Sequence, residues 1–516
     1  MRVRKLLSLC TAAAAAAVLL AGPGRAQSGP QNGRALNQGL GKVNHIILLM
    51  QENHSFDNYL GVLALAPGSP YHGGECAPWD HRCVDGLSCT GNAKNGYSCT
   101  NSNRDDDGST VSAFHATDFC VNTDVNHAWP GTHQESNFNS PNDGLVSSPN
   151  DGFVLVNDAT NQKDGKQPTP ESATEDETMS FYNENDIGFY YSLAETFSID
   201  DRYFCSALGP TFPNRSFEMA ATAFGHLTTS EFTPPTADGY KPITGTIFDL
   251  LDQGGVSWID YSEGGPGEAA TFRNPANPSQ VAHFAPLTAF MAQAASGKLP
   301  QVAFIELANS EHPGGDVRLG QNEVAQVIAA LRNGPNWKDS ILFLTYDEHG
   351  GFYDHVAPAA APQGGAPNPD GISPGQCADA SNPPSSEQPG GGVNCTISQS
   401  LAAQLCPGFT PTGTFPTNCA NYNQLGFRVP FIAVSPFSKP HYVSHTVGDH
   451  TSMMALVEKR FLSAKTKDGQ AAIPHLTARD ANANTLEDMF DFEDAPSKHA
   501  VIDPALAPAP ATPCAP

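Results

Sequence analysis

Four short apolar runs stand out along an otherwise polar chain, at residues 43–50, 302–307, 341–346 and 431–435. Each is rich in Val, Ile, Leu and Phe without strict alternation, the pattern of strands buried on both faces. Helical periodicity predicts helices over 186–197, 322–332 and 451–462. Strands alternating with helices predict an α/β fold, with helices on both faces of a mostly parallel sheet. Two stretches lack any such pattern. Residues 62–180 and 357–425 are rich in Gly, Asn, Asp, Ser and Pro, and are read as long excursions over the core. The end from Pro504, dominated by Ala and Pro, is expected to be disordered or extended. No internal repeat is evident.

The first residues carry a different message. Arg2, Arg4 and Lys5 precede an apolar run over 6–20 and a small-x-small site at Gly24-Arg25-Ala26. This predicts a secretory signal cleaved near Ala26, and a secreted or periplasmic protein without a transmembrane anchor. Removing it takes away four of the 27 basic residues and none of the 53 acidic ones, leaving a net charge of −30. Such acidity argues against nucleic acid or an anionic membrane surface as a partner. Of the 12 cysteines, Cys10 leaves with the signal. Cys76, Cys83, Cys89, Cys99 and Cys120 crowd the first excursion, Cys377, Cys395, Cys406 and Cys419 the second, and Cys205 and Cys514 stand apart. In an exported protein these read as disulfides stapling loops, with a zinc site as the alternative.

Candidate chemistry gathers where the apolar runs end. The run at 341–346 is followed by Asp347-Glu348-His349-Gly350-Gly351 and then Asp354-His355. Adjacent carboxylates at the end of a buried strand are costly unless a cation or hydrogen bonds compensate them. Glu52 and Asn53 follow the first run, and Glu311 and His312 lie just past the second. Ligands of open α/β sheets bind beyond the carboxyl ends of the strands, so the three polar sets fall at one edge. Glu52 and Asn53 offer oxygens to a hard divalent cation, while Ser55 and Asp57 suit a turn cap and Phe56 and Tyr59 suit packing. A further segment, Gly209-Pro210-Thr211-Phe212-Pro213-Asn214-Arg215, suggests a hydroxyl nucleophile at a rigid turn entering a helix, where backbone N–H groups attract an anion. A helix cap at Thr211 is the plainer alternative. Arg215 would clamp either a phosphate or an internal carboxylate.

Taken in order, Glu52 to Gly61 (ENHSFDNYLG), Thr211 to Arg215 (TFPNR), Tyr346 to Val356 (YDEHGGFYDHV) and Gly426 to Pro436 (GFRVPFIAVSP) resemble the motifs of the phosphoesterase family. That family includes non-zinc bacterial phospholipases C, plant non-specific phospholipases C and a bacterial acid phosphatase. The resemblance spans about residues 42–465, leaving 466–516 as a partly disordered C-terminal extension. It implies an alkaline-phosphatase-like, three-layer α/β/α sandwich with a mostly parallel central sheet and disulfide-stapled loop excursions. It also implies that Glu52, Asn53, Asp347 and Glu348 ligate one divalent metal touched by a nucleophilic Thr211. His127, His312 and His355 become catalytic histidines, and Asn53, Arg215 and His349 substrate contacts. His54 stands where many relatives carry Arg, which makes a charge there conditional on pH.

The function implied is a secreted phosphoesterase of phospholipase C type, forming a phosphothreonine and releasing a phosphorylated head group. The alternative is a broad acid phosphatase acting on small phosphomonoesters. A sulfatase would need Cys or Ser in a Pro-Ser-Arg context, from which Thr211 departs. A non-catalytic binding protein would lack a ligand or the nucleophile, and none is missing. The oxygen donors favour Ca, Mn or Mg over Zn or Fe.

Overall fold

The computed structural model describes residues 39–514 except 121–123, 143–147, 158–173, 235–236, 264, 266, 363–366, 381–393, 466–470 and 494–499. The signal expected over 1–26 lies outside the described residues. The main sheet has eight strands: β1 (His45–Gln51), β2 (Ser198–Asp200), β3 (Trp258–Ser262), β4 (Phe284–Pro286), β5 (Val302–Glu306), β6 (Ser340–Tyr346), β7 (Phe431–Val434) and β8 (Val443–Ser444). Their order is β4-β3-β5-β1-β6-β7-β2-β8. Only β7 runs against its neighbours, pairing antiparallel with both β6 and β2. The protein is therefore an α/β fold on a mostly parallel sheet, and the four apolar runs are its strands β1, β5, β6 and β7.

Burial explains why those runs were visible. All seven residues of β6 are buried, and β1 is buried from Ile46 onward. β1 sits between β5 and β6, and its register with β6 sets His45 opposite Ser340 and Gln51 opposite Tyr346. The two strands end level, so Glu52 and Asp347 leave the sheet side by side. The backbone locks this edge: Asp347 N donates to Gln51 O (3.0 Å), and Glu52 N to Ser310 O (2.8 Å).

The predicted helices appear as α1 (Gly188–Thr196), α2 (Thr211–Ala220), α3 (Val317–Asn333) and α4 (His450–Val457). α3 begins five residues earlier than its apolar pattern, because Asp316 caps it by accepting from Arg318 N. The expected continuation of α4 to residue 462 is a π-turn, Glu458–Leu462.

Among the described residues the excursions contain only short ladders and helices, held by Cys76–Cys83, Cys89–Cys99, Cys377–Cys395 and Cys406–Cys419. A fifth bridge, Cys120–Cys514, joins the first excursion to the tail across 394 residues. Cys205 is free and buried. The pairing displaces the zinc alternative, and bridges of this kind persist in oxidising compartments outside the cytosol. Among the described residues no helix is long and apolar enough to cross a membrane. The tail, expected to be disordered or extended, is irregular beyond the single turn Pro504–Leu506 and is anchored to its surroundings. Ala507 is buried, its carbonyl accepts from Asn322 Nδ2 (2.7 Å), and Cys514 N donates to Asp316 Oδ2 (3.2 Å). Ala- and Pro-rich composition reports low self-ordering, but a covalent tie to α3's surroundings supplies order from outside.

Replacing both Cys120 and Cys514 by Ser is expected to lower stability by about 2–5 kcal/mol, since the bridge closes so long a loop. Denaturant unfolding of the variant beside the unmodified protein measures this.

Candidate active site

Thr211 is the first residue of α2, behind Pro210 in an extended conformation. Proline is tolerated in a helix's first turn because the N–H it removes has no helical acceptor there, which accommodates Pro213. Asn214 holds the preceding turn: its Oδ1 accepts from Ala207 N (2.9 Å), and its Nδ2 donates to Gly209 O (2.8 Å) and to the carbonyls of Ala207 and Pro210 (both 3.2 Å). Arg215 lies one turn on, so it shares a helix face with Thr211.

Arg215 is buried and faces carboxylates on every side. Its Nε lies 3.2 Å from Asp347 Oδ2, Nη2 3.2 Å from Glu52 Oε1, and Nη1 2.6 Å from Glu268 Oε1. Burial opposes its charge, but Glu268, Asp347 and Glu52 outweigh burial and raise its pKa. The internal clamp is thus the arrangement present, which corrects the expectation of a substrate contact: the guanidinium is spent on holding acids. Those contacts bring the Thr211 helix to the ends of β1 and β6.

The candidate ligands follow. Asn53 is wholly buried in the left-handed region (φ 68°), which Asn tolerates better than most residues. Its backbone N donates to Asp347 Oδ1 (3.3 Å), which also accepts from Glu348 N (2.8 Å). Asn53 Oδ1 and Nδ2, and Glu348 Oε1, are buried without a hydrogen-bond partner among the described residues. Burial pushes Glu348 up to about 8 and raises Glu52. Buried, unpaired oxygens that resist ionisation are what a divalent cation relieves, so the donor set fits one. Gly350 (φ 66°) and Gly351 (φ 78°) let the Asp347 loop fold against its neighbours. A Cβ would fall 2.2 Å from Asn53 O at the first and 2.7 Å from Asn126 O at the second.

Two histidines border this set. His127 Nδ1 donates to Val125 O (2.8 Å), which turns Nε2 towards Glu348 Oε1, 3.8 Å away. His312 Nδ1 donates to Pro313 O (2.8 Å), which turns its Nε2 towards Asp124 Oδ1, 4.0 Å away. Their rings are 6.1 Å apart. Burial works against charge on His312, but Glu52, the Pro313 carbonyl, Asp124 and Asp347 outweigh it and raise the pKa.

The other predicted histidines sit elsewhere. His349 is 1% exposed, with Nε2 2.8 Å from Glu135 Oε2 and Nδ1 3.3 Å from Glu348 Oε2. It backs Glu348 instead of facing a substrate. His355 has Nδ1 2.6 Å from Asp57 Oδ2 and Nε2 3.1 Å from Asp85 Oδ1, in a network where Arg428 bonds Asp57 (3.0 Å) and Asp354 (2.9 Å). Burial is outweighed by these acids, chiefly Asp57, and its pKa rises to about 10. Both ring nitrogens are committed, so the catalytic role expected of His355 gives way to an ion-pair role. His54 is fully buried, and burial pushes it down to about 4, so its charge does not vary near neutral pH as expected. Ser55 caps the short helix Phe56–Leu60, as predicted, by accepting from Asn58 N. Glu268, Glu135 and Asp124 were not anticipated. None adjoins a motif, and only proximity in the fold marks them.

A model of the Phosphoesterase family matches residues 43–462. The chain is 30% identical over 515 residues to phospholipase C B of Mycobacterium tuberculosis, covering 94% of this chain and 85% of that protein. It is 29% identical over 466 residues to non-specific phospholipase C4 of Arabidopsis thaliana, covering 87% and 72%.

Arg215→Met strands two buried carboxylates, Asp347 and Glu268, and the half-buried Glu52, and is expected to cost about 3–5 kcal/mol of stability, read as a lowered unfolding midpoint. His355 carries a pH signature. Its folded pKa, about 10, lies above the unfolded 6.5, so its contribution is full below the unfolded value and is lost as pH rises through the folded one. Urea unfolding from neutral to alkaline pH should show a stability loss that His355→Gln lacks.

Proposed function

The chain belongs to the phosphoesterase family and is a phosphoric ester hydrolase, and on that premise we propose a metal-dependent phosphodiesterase of phospholipase C type. It would be exported behind a leader ending near Ala26. Its sheet order, with Thr211 borne on a helix at the carboxyl edge, supports a three-layer α/β/α arrangement of alkaline-phosphatase type. One observation carries the reading: Glu52, Asn53, Asp347 and Glu348 leave the sheet at that edge, where Asn53 Oδ1 and Glu348 Oε1 are buried without a hydrogen-bond partner among the described residues, beside a helix that begins with a hydroxyl.

Glu52, Asn53, Asp347, Glu348 and Thr211 would hold one divalent cation, of hard character given five oxygen donors. When bound, the cation supplies positive charge that favours ionisation of a hydroxyl and offsets phosphate charge. The chain's residues do the rest. The N–H groups of the first turn of α2 face the anion, and Asn53 Nδ2 supplies a donor to a phosphate oxygen. Arg215 keeps Glu52 and Asp347 in place without touching substrate. Thr211 Oγ1, ionised before the step, attacks phosphorus as the bond to the alcohol breaks, and His312, whose protonated form its acidic neighbours favour, gives its Nε2 proton to the departing oxygen. His127, with Nε2 turned inward, donates to or accepts from the phosphoryl oxygens. Water then attacks the phosphothreonine and returns a proton to His312. The names of the relatives support a phospholipid diester as the substrate, with diacylglycerol as the leaving alcohol.

Purified protein assayed on phosphatidylcholine and p-nitrophenyl phosphate, with and without chelator, tests this. Phosphocholine release above the monoester rate, abolished by chelator, is the expected result. Thr211→Ala should lower it by roughly 10⁴-fold or more while leaving the protein folded. A dominant monoester rate would make the protein an acid phosphatase, and a Thr211→Ala variant that keeps its activity would end the covalent mechanism.

A further inference from the structure

Glu311 touches none of the groups assigned to the reaction, yet it is the most heavily anchored acid at this edge. It is 2% exposed and adopts a left-handed conformation (φ 72°) that a residue with a long side chain rarely takes. Its Oε2 accepts from Tyr59 OH (2.7 Å) and Tyr346 OH (2.6 Å), and its Oε1 accepts from Tyr190 OH. Its carbonyl accepts from His54 Nε2 (3.0 Å). Gly320 of α3 leaves room for the side chain: a Cβ there would lie 2.1 Å from Glu311 Cγ. The three phenols come from different segments. Tyr59 belongs to the short helix after Asn53, Tyr346 is the last residue of β6 before Asp347, and Tyr190 lies on α1.

We infer that Glu311 is a positioning residue, whose carboxylate, held by the three tyrosines, fixes the backbone that presents His312 to the leaving oxygen. The inference rests on the reading of His312 as the acid of the reaction. The physical reason is local. His312 is directly bonded to a residue in a strained conformation, and its own side chain is tethered only through Nδ1 to Pro313 O. Nothing in that tether sets where the loop stands relative to Asn53 and Asp347. The Glu311 carboxylate does, because it is bonded at once to the helix that follows Asn53 and to the last residue of the strand that leads into Asp347. A buried carboxylate accepting from three phenols has little freedom to shift, and each bond lost would leave a polar group unsatisfied. The same contacts explain why tyrosines stand at positions 59 and 346, where neither reaches the proposed cation or substrate.

The test uses leaving groups. A soluble short-chain phosphatidylcholine expels an alkoxide that needs a proton, whereas p-nitrophenyl phosphorylcholine expels a nitrophenolate that scarcely does. Glu311→Gln and His312→Asn should each lose at least about tenfold more activity on the first than on the second, as expected for loss of acid catalysis. Glu311→Gln should do so through kcat with little change in KM. Tyr190→Phe, on α1 and outside the ligand loops, should show the same skew in smaller measure and keep its melting temperature. Equal losses on both esters for Glu311→Gln, with unequal losses for His312→Asn, overturn the inference alone. Equal losses for His312→Asn overturn the acid reading and the inference with it. Should Glu311→Gln fail to fold, an unskewed Tyr190→Phe overturns the inference by itself.

Discussion

The guanidinium of Arg215 binds Asp347, Glu52 and Glu268 at once, and the rest of the site depends on that balance. Asp347 and Glu52 end adjacent strands, whereas Glu268 opens a one-turn helix well removed in sequence. Without a cation between them these acids would repel each other in a medium too dry to screen them. Around this core the surplus of acid continues. Burial pushes Glu218 up to about 7 and Asp260 up to about 8, so part of the negative charge is held as protonated carboxyl groups. Glu348 differs from these in position: it lies beyond Arg215's reach, with one oxygen unpartnered. The acids that Arg215 neutralises are fixed by it, whereas Glu348 is held through its other oxygen by Gly350 N (2.8 Å).

Charge balance would not suffice without a stiff backbone. The three loops at the carboxyl edge each turn through a left-handed residue: Asn53, Glu311, and the pair Gly350 and Gly351. Glycine is needed in the third because the first loop's backbone passes where a Cβ would stand. The first loop uses Asn, which tolerates the conformation and also carries the amide that faces the site. Glu311 has neither excuse, and it is the residue with three phenol donors. The conformational cost at each turn is thus offset where it arises: by a missing side chain, by an amide, and by a caged carboxylate.

The sheet was legible because buried parallel strands read as continuous apolar runs, and the candidate ligand residues drew notice because they stand directly after those runs. Thr211 could be placed at a helix start from Gly209, Pro210 and Pro213 alone. What could not be read were partnerships at long sequence separation. Nothing near Glu268 marks it as Arg215's partner, and nothing at Cys514 points to Cys120. The anchoring of the tail was hidden for this reason: composition reports how a segment behaves alone, not what it is tied to. His349 and His355 were misplaced because their motif lies at the site while their rings turn away from it, His349 back to Glu135 and His355 to Asp57 and Asp85.

Those turned rings define which histidines can act. A histidine can pass a proton only through a nitrogen that no strong partner already holds. His355 has carboxylates on both nitrogens, and His349 has Glu135 on one and Glu348 near the other. His54 sits between Asn58 Oδ1 and Glu311 O, and His450 gives Nε2 to the Asp347 carbonyl. His127 and His312 are built differently: a backbone carbonyl fixes Nδ1 in each, and Nε2 faces a carboxylate at 3.8 to 4.0 Å, beyond hydrogen-bond distance. That gap is the property that matters. It leaves each Nε2 unspent, and in the proposed mechanism a phosphate oxygen or a departing alkoxide takes the place in between.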